Sequence, residues 1–424
     1  MKKLSHILAS FLLVACAKTT LDYQEVTPDG RNNSVQSFKV TEEEALATLE
    51  DFLSCFSNTA PTKADFALAS KIPSEIKAIR SQKIFTKTTD EYSYENGIDT
   101  LMYVINFRDQ HGFAILAADR RTEPILAIID EGCFDENHLQ EGKDDGFLLF
   151  LDRAANMIQN DIDNYDETPS TRVFVTNGYT IIDQQGPLLH TKWDQKNVYG
   201  SYCPNGIGGC VSIATAQILS YYRTPNSVSW SSNGVGGSTP LHWSQIIADC
   251  DDHNGMLTAT ECATSGDEVA HLVRYLGIAM DADYKSDKTS IKHSQAPKWF
   301  NKWSTLSATD LSGFNQTNIV NAIKQNNLVF TAGYAGRKRF LGITLSHTDG
   351  HAWVIDGTIT ASKNGTTSVL FHCNWGWNGE KNGFYLGNAF DTREGALIYH
   401  STESQIGPEK YNFQYKVEYS IISR

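Results

Sequence analysis

Cys210, His351 and Asn374 are the residue types and the chain order that nucleophilic acyl chemistry needs. Cys210 follows Gly208-Gly209 and opens CVSIATAQILSYY, an apolar run that predicts a mostly buried helix over 210–222. Val211, Ala214, Ile218 and Tyr221 fall on one face of it, and Ile213 and Ala216 on another. The two glycines let the chain turn tightly and come close to a ligand. A thiol at a helix N-terminus, beside an imidazolium, has its thiolate stabilised. Packing is the competing reading, since free Cys is among the most buried residue types.

The elements that must position these groups follow from the flanking sequence. HAWVIDGTIT (351–360) and TSVLFHCNW (367–375) are strand-like runs, and Asn364-Gly365 between them is a hairpin turn signal. An antiparallel hairpin brings His351 close to Asn374. LVFTAGY (328–334) is a further strand, and Gly266–Leu276 and Asn315–Gln325 are further helices. Cys, a distant His, then Asn is the order found in papain-like cysteine proteases. In that chemistry the thiolate attacks a carbonyl carbon, and His351 takes the proton and returns it to the leaving amine. The Asn374 side chain accepts the N–H of the other ring nitrogen, and Trp375 shields that bond. His347 and His351 also have the i, i+4 spacing of zinc ligands on a helix, but Asp349-Gly350 is a turn signal followed by strand, which interrupts the face this needs. No metal and no cofactor is expected.

The chain of 424 residues is too long for one ordinary core, so two domains are expected. A net charge of -13 and the lack of a basic stripe exclude a nucleic-acid partner. Residues 1–16 have a Lys2-Lys3 start, a short apolar run and Leu13-Val14-Ala15-Cys16, which resembles the bacterial lipoprotein box. The expectation is export, with acylation at Cys16 and lipid there as the only membrane contact, at the outer membrane, cell surface or periplasm; an ordinary secretory signal cut near Ala15 or Ala17 is the competing reading. Eight cysteines minus Cys16 leave an odd number, so at least one thiol lacks an intramolecular partner. Residues 17–38 read as a tether. A first domain over 39–170 begins with a helix capped by Thr41, with Ala45, Leu49, Leu53 and Phe56 as its apolar positions. It continues through strands at 100–107, 112–119 and 124–130 and a helix at 146–165. DETPSTRV (166–173) is a linker, and 171–424 is the catalytic domain.

GPLLHTKWDQKNVYG (186–200), GCVSIATAQILSYY (209–222), GHAWVIDG (350–357) and HCNWGWNGEKNGFY (372–385) together resemble the streptopain family of papain-fold cysteine peptidases. With weaker similarity before residue 170, the resemblance spans most of the chain. It implies an α+β papain-like domain, with a helical part carrying the Cys and an antiparallel β part carrying His and Asn, behind an α+β inhibitory prodomain. It implies Cys210 as nucleophile, His351 as general acid and base, Asn374 as the residue that orients it, and Trp375 as the screen. Gln195 matches the family's oxyanion glutamine, acting with the Cys210 backbone N–H. Protein or peptide substrates, a monomer, and a maturation cut near Arg172 that could release the enzyme are the further implications. GYAGRKRFLGITLSHTDG (333–350) departs from the family in being longer and more basic, which bears on the family's frequent preference for an apolar residue two positions before the cut bond. Its Gly333, Gly336, Gly342 and Gly350 suit a mobile loop. The same Cys-His machinery would also cut peptidoglycan amides, and a non-catalytic surface binding protein is the reading from another class.

Overall fold

The computed structural model describes residues 38–424 apart from 59–66, 81–99, 136–144, 164, 166–177, 233–234, 341–342 and 391–415. The expected signal segment, tether, linker and cut near Arg172 lie outside the described residues. The first helix is Glu42–Ser54, and Thr41 caps it through a reciprocal pair of bonds with Glu44. β1 (Pro73–Arg80), β2 (Thr100–Phe107), β3 (Phe113–Ala117) and β4 (Ile125–Ile129) then form an antiparallel meander, followed by the helix Asp145–Asp163.

β5 (Thr180–Gln185) leads into a helical layer made of Asn197–Gly200, Cys210–Tyr222, Trp243–Asp252, Ala263–Ala279 and Gln295–Trp303. Two short ribbons interrupt it: β6 (Ser227–Ser232) with β7 (Val235–Pro240), and β8 (Asp283–Tyr284) with β9 (Thr289–Ser290). After β10 (Ser307–Ala308), β11 (Ser312–Gly313) and the helix Gln316–Lys324 come the long strands β12 (Leu328–Phe340), β13 (Ile343–Lys363) and β14 (Thr366–Asn374). β15 (Gly383–Leu386) and β16 (Glu418–Ser423) close the chain.

One sheet of order β1-β2-β3-β4-β15-β14-β13-β12-β16-β10 joins the N-terminal meander to the C-terminal strands, through antiparallel pairing of β4 with β15. The expected division near 170 therefore does not separate the sheet. Alternation along β13 assigns its two faces. Trp353 and Ile355 pack in a core with Phe147, Phe150, Leu151 and Ala154 of the Asp145–Asp163 helix. Ala352 and Val354 pack against Val211, Ala214 and Ile218 of the Cys210 helix.

The β13–β14 hairpin turns at Asn364-Gly365, both at positive φ (53° and 81°), as the sequence signal requires. One expectation is corrected. Residues 333–340 and 343–350 are not an irregular loop, because β12 and β13 stay paired along them, with Gly336 opposite Thr348 and Arg337 opposite His347, while Gly342 lies outside the described residues. His347 and His351 thus share a strand, not a helix.

Candidate active site

Cys210 is the first residue of its helix, half-buried, and no side chain caps that end. The chain reaches it through a narrow gap. A Cβ on Gly208 would meet Val273 Cγ1 at 2.6 Å, and one on Gly209, which has φ 86°, would lie 3.1–3.2 Å from Thr289. The glycine pair is therefore required by both space and backbone conformation. Beyond Cys210 the helix is buried as far as Ser220, so it holds the thiol on a rigid base.

His351 lies on β13 opposite the buried Gly333, and the Cys210 helix packs directly on this strand. Its Nε2 is 2.9 Å from the Trp375 carbonyl oxygen. A carbonyl only accepts, so Nε2 carries the hydrogen, and Nδ1 of the neutral ring keeps its lone pair as the base. The Trp377 ring lies 4.5 Å from the imidazole at 31°. Burial pulls the His351 pKa down to about 4, against the opposing pull of the Trp375 carbonyl and with a further lowering from His293.

The expected Asn374–His351 bond is corrected. Asn374 is buried, and its Nδ2 donates to the Thr191 carbonyl at 2.7 Å. Its Oδ1 accepts from Gln217 Nε2 at 3.1 Å and from the Gly376 N–H at 3.3 Å. In the antiparallel register Asn374 stands opposite Val354, and the ring of His351 reaches the next residue's carbonyl instead. The Trp375 ring lies 6.1 Å from the imidazole. Trp375 is wholly buried, with its indole N–H bonded to the Lys381 carbonyl and the Tyr385 hydroxyl, whereas Trp377 is the indole nearest the imidazole. The Trp375 backbone carbonyl is the hydrogen-bond partner of the histidine.

Gln195 is half-buried, and its carbonyl accepts the Gly208 N–H at 2.7 Å, which ties it to the loop just ahead of Cys210. Sequence reasoning missed four neighbours. Tyr334 stands opposite Gly350 in the register, and its pKa is raised by burial and by the charges of Glu418 and Cys210. His293 is buried with its ring 4.7 Å from that of Tyr334, and its Nδ1 has no hydrogen-bond partner. Burial lowers its pKa to about 4. Gln217 is a polar residue inside an apolar helix, a signal that was there to read. Trp377 stood in the quoted Trp375-Gly376-Trp377 run.

The N-terminal part reaches the same strands from behind. His372 on β14 lies 2.5 Å from Asp356 Oδ1 and 2.9 Å from Asp130 Oδ2. Burial by itself would lower the His372 pKa, but the Asp356 and Asp130 carboxylates outweigh it and push it up to about 10. Lys192 pairs with Glu131 at 2.5 Å, and Asn254 also bonds Glu131. Phe150 of the Asp145–Asp163 helix makes an edge contact with Tyr385 at 4.7 Å, and Tyr385 makes one with Trp375 at 5.3 Å. All seven cysteines from Cys55 to Cys373 are free thiols.

Comparison with known proteins matches two segments of the chain. Residues 193–385 match the Peptidase C10 family, and residues 37–158 match the Spi protease inhibitor family. Streptopain of Streptococcus pyogenes is 25% identical over 320 residues, covering 67% of this chain and 73% of that protein. The thiol protease/hemagglutinin PrtT of Porphyromonas gingivalis is 25% identical over 319 residues, which is 34% of its length. A fragment of prointerpain A from Prevotella intermedia shares the fold. Its TM-score is 0.50 at 19% identity, covering 76% of this chain and 94% of that one.

Proposed function

We propose that this chain, with a peptidase C10 segment behind an Spi-type inhibitor segment, is a cysteine peptidase of the streptopain family, made as an exported zymogen that cuts proteins through Cys210 and His351. The observation that carries the assignment is the pinned histidine. Nε2 is held by the Trp375 carbonyl, so the ring presents Nδ1 as a base at the strand on which the Cys210 helix packs.

In the proposed cycle the Cys210 thiol gives its proton to His351 Nδ1, and the thiolate adds to the scissile carbonyl carbon. The oxyanion takes hydrogen bonds from the Cys210 backbone N–H and the Gln195 side-chain amide. The C–N bond then breaks, and the amine leaves with the proton from His351. Water, deprotonated by His351, hydrolyses the thioester and restores the thiol. Charge on the imidazolium is stabilised by the Trp375 carbonyl on its far side, the part an Asn side chain plays in papain-like enzymes.

The sequence at residues 13–16 supports lipidation at Cys16, and a Cys16→Ser chain in a Gram-negative host should then lose palmitate label. The inhibitor-type segment supports inhibition by the chain's own N-terminal part. The test is intact mass over time for residues 17–424 under reducing conditions, with Cys210→Ala and His351→Ala alongside and a casein assay on each. Wild type should shed an N-terminal fragment of about 150 residues and gain casein activity, and neither variant should. A wild-type chain that stays whole and inert to casein after limited trypsin treatment, yet turns over cell-wall amides, would overturn the protein-substrate reading.

A further inference from the structure

The Cys210 helix buries one long polar side chain that the mechanism does not use. Gln217 lies two turns beyond Cys210 and is fully buried. Its Oε1 accepts from the Trp193 N–H and from Thr191 Oγ1, both at 3.1 Å. Its Nε2 donates to Asn374 Oδ1 at 3.1 Å. Asn374 Nδ2 returns to the Thr191 carbonyl at 2.7 Å, closing a ring of bonds, and Asn374 Oδ1 takes the Gly376 N–H as well.

The amide orientations in this ring are forced. A backbone N–H only donates, so the Gln217 atom facing Trp193 is oxygen and the one facing Asn374 is nitrogen. That nitrogen needs an acceptor, and the Gly376 N–H needs one too, so both meet Asn374 Oδ1. The remaining Asn374 NH₂ then has the Thr191 carbonyl as acceptor. With a donor matched to an acceptor at every contact, the ring has one arrangement.

What the ring joins is the active site itself. Gln217 belongs to the helix that carries Cys210. Trp193 opens the segment that leads to Gln195. Asn374 and Gly376 flank Trp375, whose carbonyl holds His351. A buried amide thus ties the nucleophile helix to the oxyanion segment and to the turn that orients the base.

We propose that Gln217 is a positioning residue for catalysis: through Asn374 it sets the Trp375 carbonyl that orients His351, and through the Trp193 N–H it sets the segment presenting Gln195. The proposal rests on Cys210 and His351 being the reacting pair. It also gives Asn374 a role, at one remove from the imidazole and acting on the backbone of its neighbour.

The test uses the full chain with Gln217→Met and Gln217→Glu. The methionine keeps the bulk and loses every bond of the amide. The glutamate keeps both acceptor bonds, and it supplies the Asn374 donor only while protonated; burial raises a carboxyl's pKa. Activity is counted per thiol alkylated by iodoacetamide, and the alkylation rate is followed against pH. The expected result for methionine is a kcat lowered on the order of 10- to 100-fold with KM within about twofold, because a misplaced base costs rate and leaves binding intact. Its alkylation profile should also shift, since His351 loses its fixed partner. The glutamate chain should approach wild-type kcat at mildly acid pH and fall away as pH rises, an added limb that wild type lacks.

A methionine variant that is less heat-stable but has wild-type kcat per thiol and an unmoved alkylation profile would overturn the proposal, leaving a purely structural amide. If methionine prevents folding, the glutamate chain decides the matter: a kcat–pH curve parallel to wild type overturns the proposal equally. Activity surviving in Cys210→Ala would instead remove the catalytic reading itself, so the two failures are distinguishable.

Discussion

Replacing Asp130 by Asn isolates the polar hold of the N-terminal part on the catalytic strands. His372 is buried between the Asp356 and Asp130 carboxylates, with only 5% of its side chain exposed. A rise in its pKa from 6.5 to about 10 corresponds to on the order of 5 kcal/mol shared by two carboxylates. The Asp130 side chain is 29% exposed against 1% for Asp356, so solvent screens it and its share is the smaller, roughly 1–2 kcal/mol. The sign follows from linkage. A raised histidine stabilises the fold fully below its unfolded value near 6.5, and that stability is lost as pH rises through about 10. The Asp130 pKa is lowered: burial would raise it, but His372, Lys71 and Lys192 prevail. Its contribution is present above the ordinary carboxylate value and is lost as pH falls through the lowered one. The difference between wild type and Asp130→Asn should therefore be greatest between about pH 4 and 6.5 and shrink towards pH 10. Urea unfolding of both chains in a Cys210→Ala background, which prevents self-cleavage, measures it. Equal midpoints at pH 6, or a gap that widens towards pH 10, would refute the reasoning. In the active chain the same substitution should speed loss of the N-terminal fragment.

Three further outcomes are expected. His293→Phe removes a buried imidazole whose pKa is held near 4, so between pH 6.5 and 4 this variant should lose on the order of 2–3 kcal/mol less stability than wild type, read from denaturant midpoints across that range. Gly209→Ala places a Cβ 3.1–3.2 Å from Thr289 at φ 86°, and should cost about 1–3 kcal/mol and displace Cys210; thermal unfolding and kcat/KM should both fall, and an unchanged alkylation rate would argue against displacement. Thr41→Ala removes the bond that the Glu44 N–H donates to Thr41 Oγ1 at the exposed end of the first helix and should lower stability by about 1 kcal/mol, with casein turnover of the matured enzyme unaltered.

Much of this protein is legible residue by residue. The helix begins at Cys210 and ends at Tyr222, as the apolar run requires. The Asn364-Gly365 turn pairs the strands as its chemistry demands, and Thr41 caps the helix it precedes. These features depend on neighbours in the chain, so short-range propensity suffices to place them. What orients His351 is of another kind. The acceptor is the carbonyl of Trp375, and a backbone carbonyl is present at every residue, so no residue type marks it. Asn374 has the right type and the right place in the chain order, yet the register sends its amide to Gln217 and Thr191. The stretch 333–350 has the glycines of a loop, but pairing of 333–340 with 343–350 across β12 and β13 supplies the hydrogen bonds that hold these residues extended. The Asp130–His372–Asp356 cluster and the β4–β15 pairing join residues far apart in sequence, and His372 and Asp356 can stand buried only because each has a charged partner. The sequence by itself determined which groups could do the chemistry and the local elements that carry them. Tertiary packing alone decided which atom holds the base, because that choice is made by three-dimensional register and by the need to satisfy buried donors and acceptors.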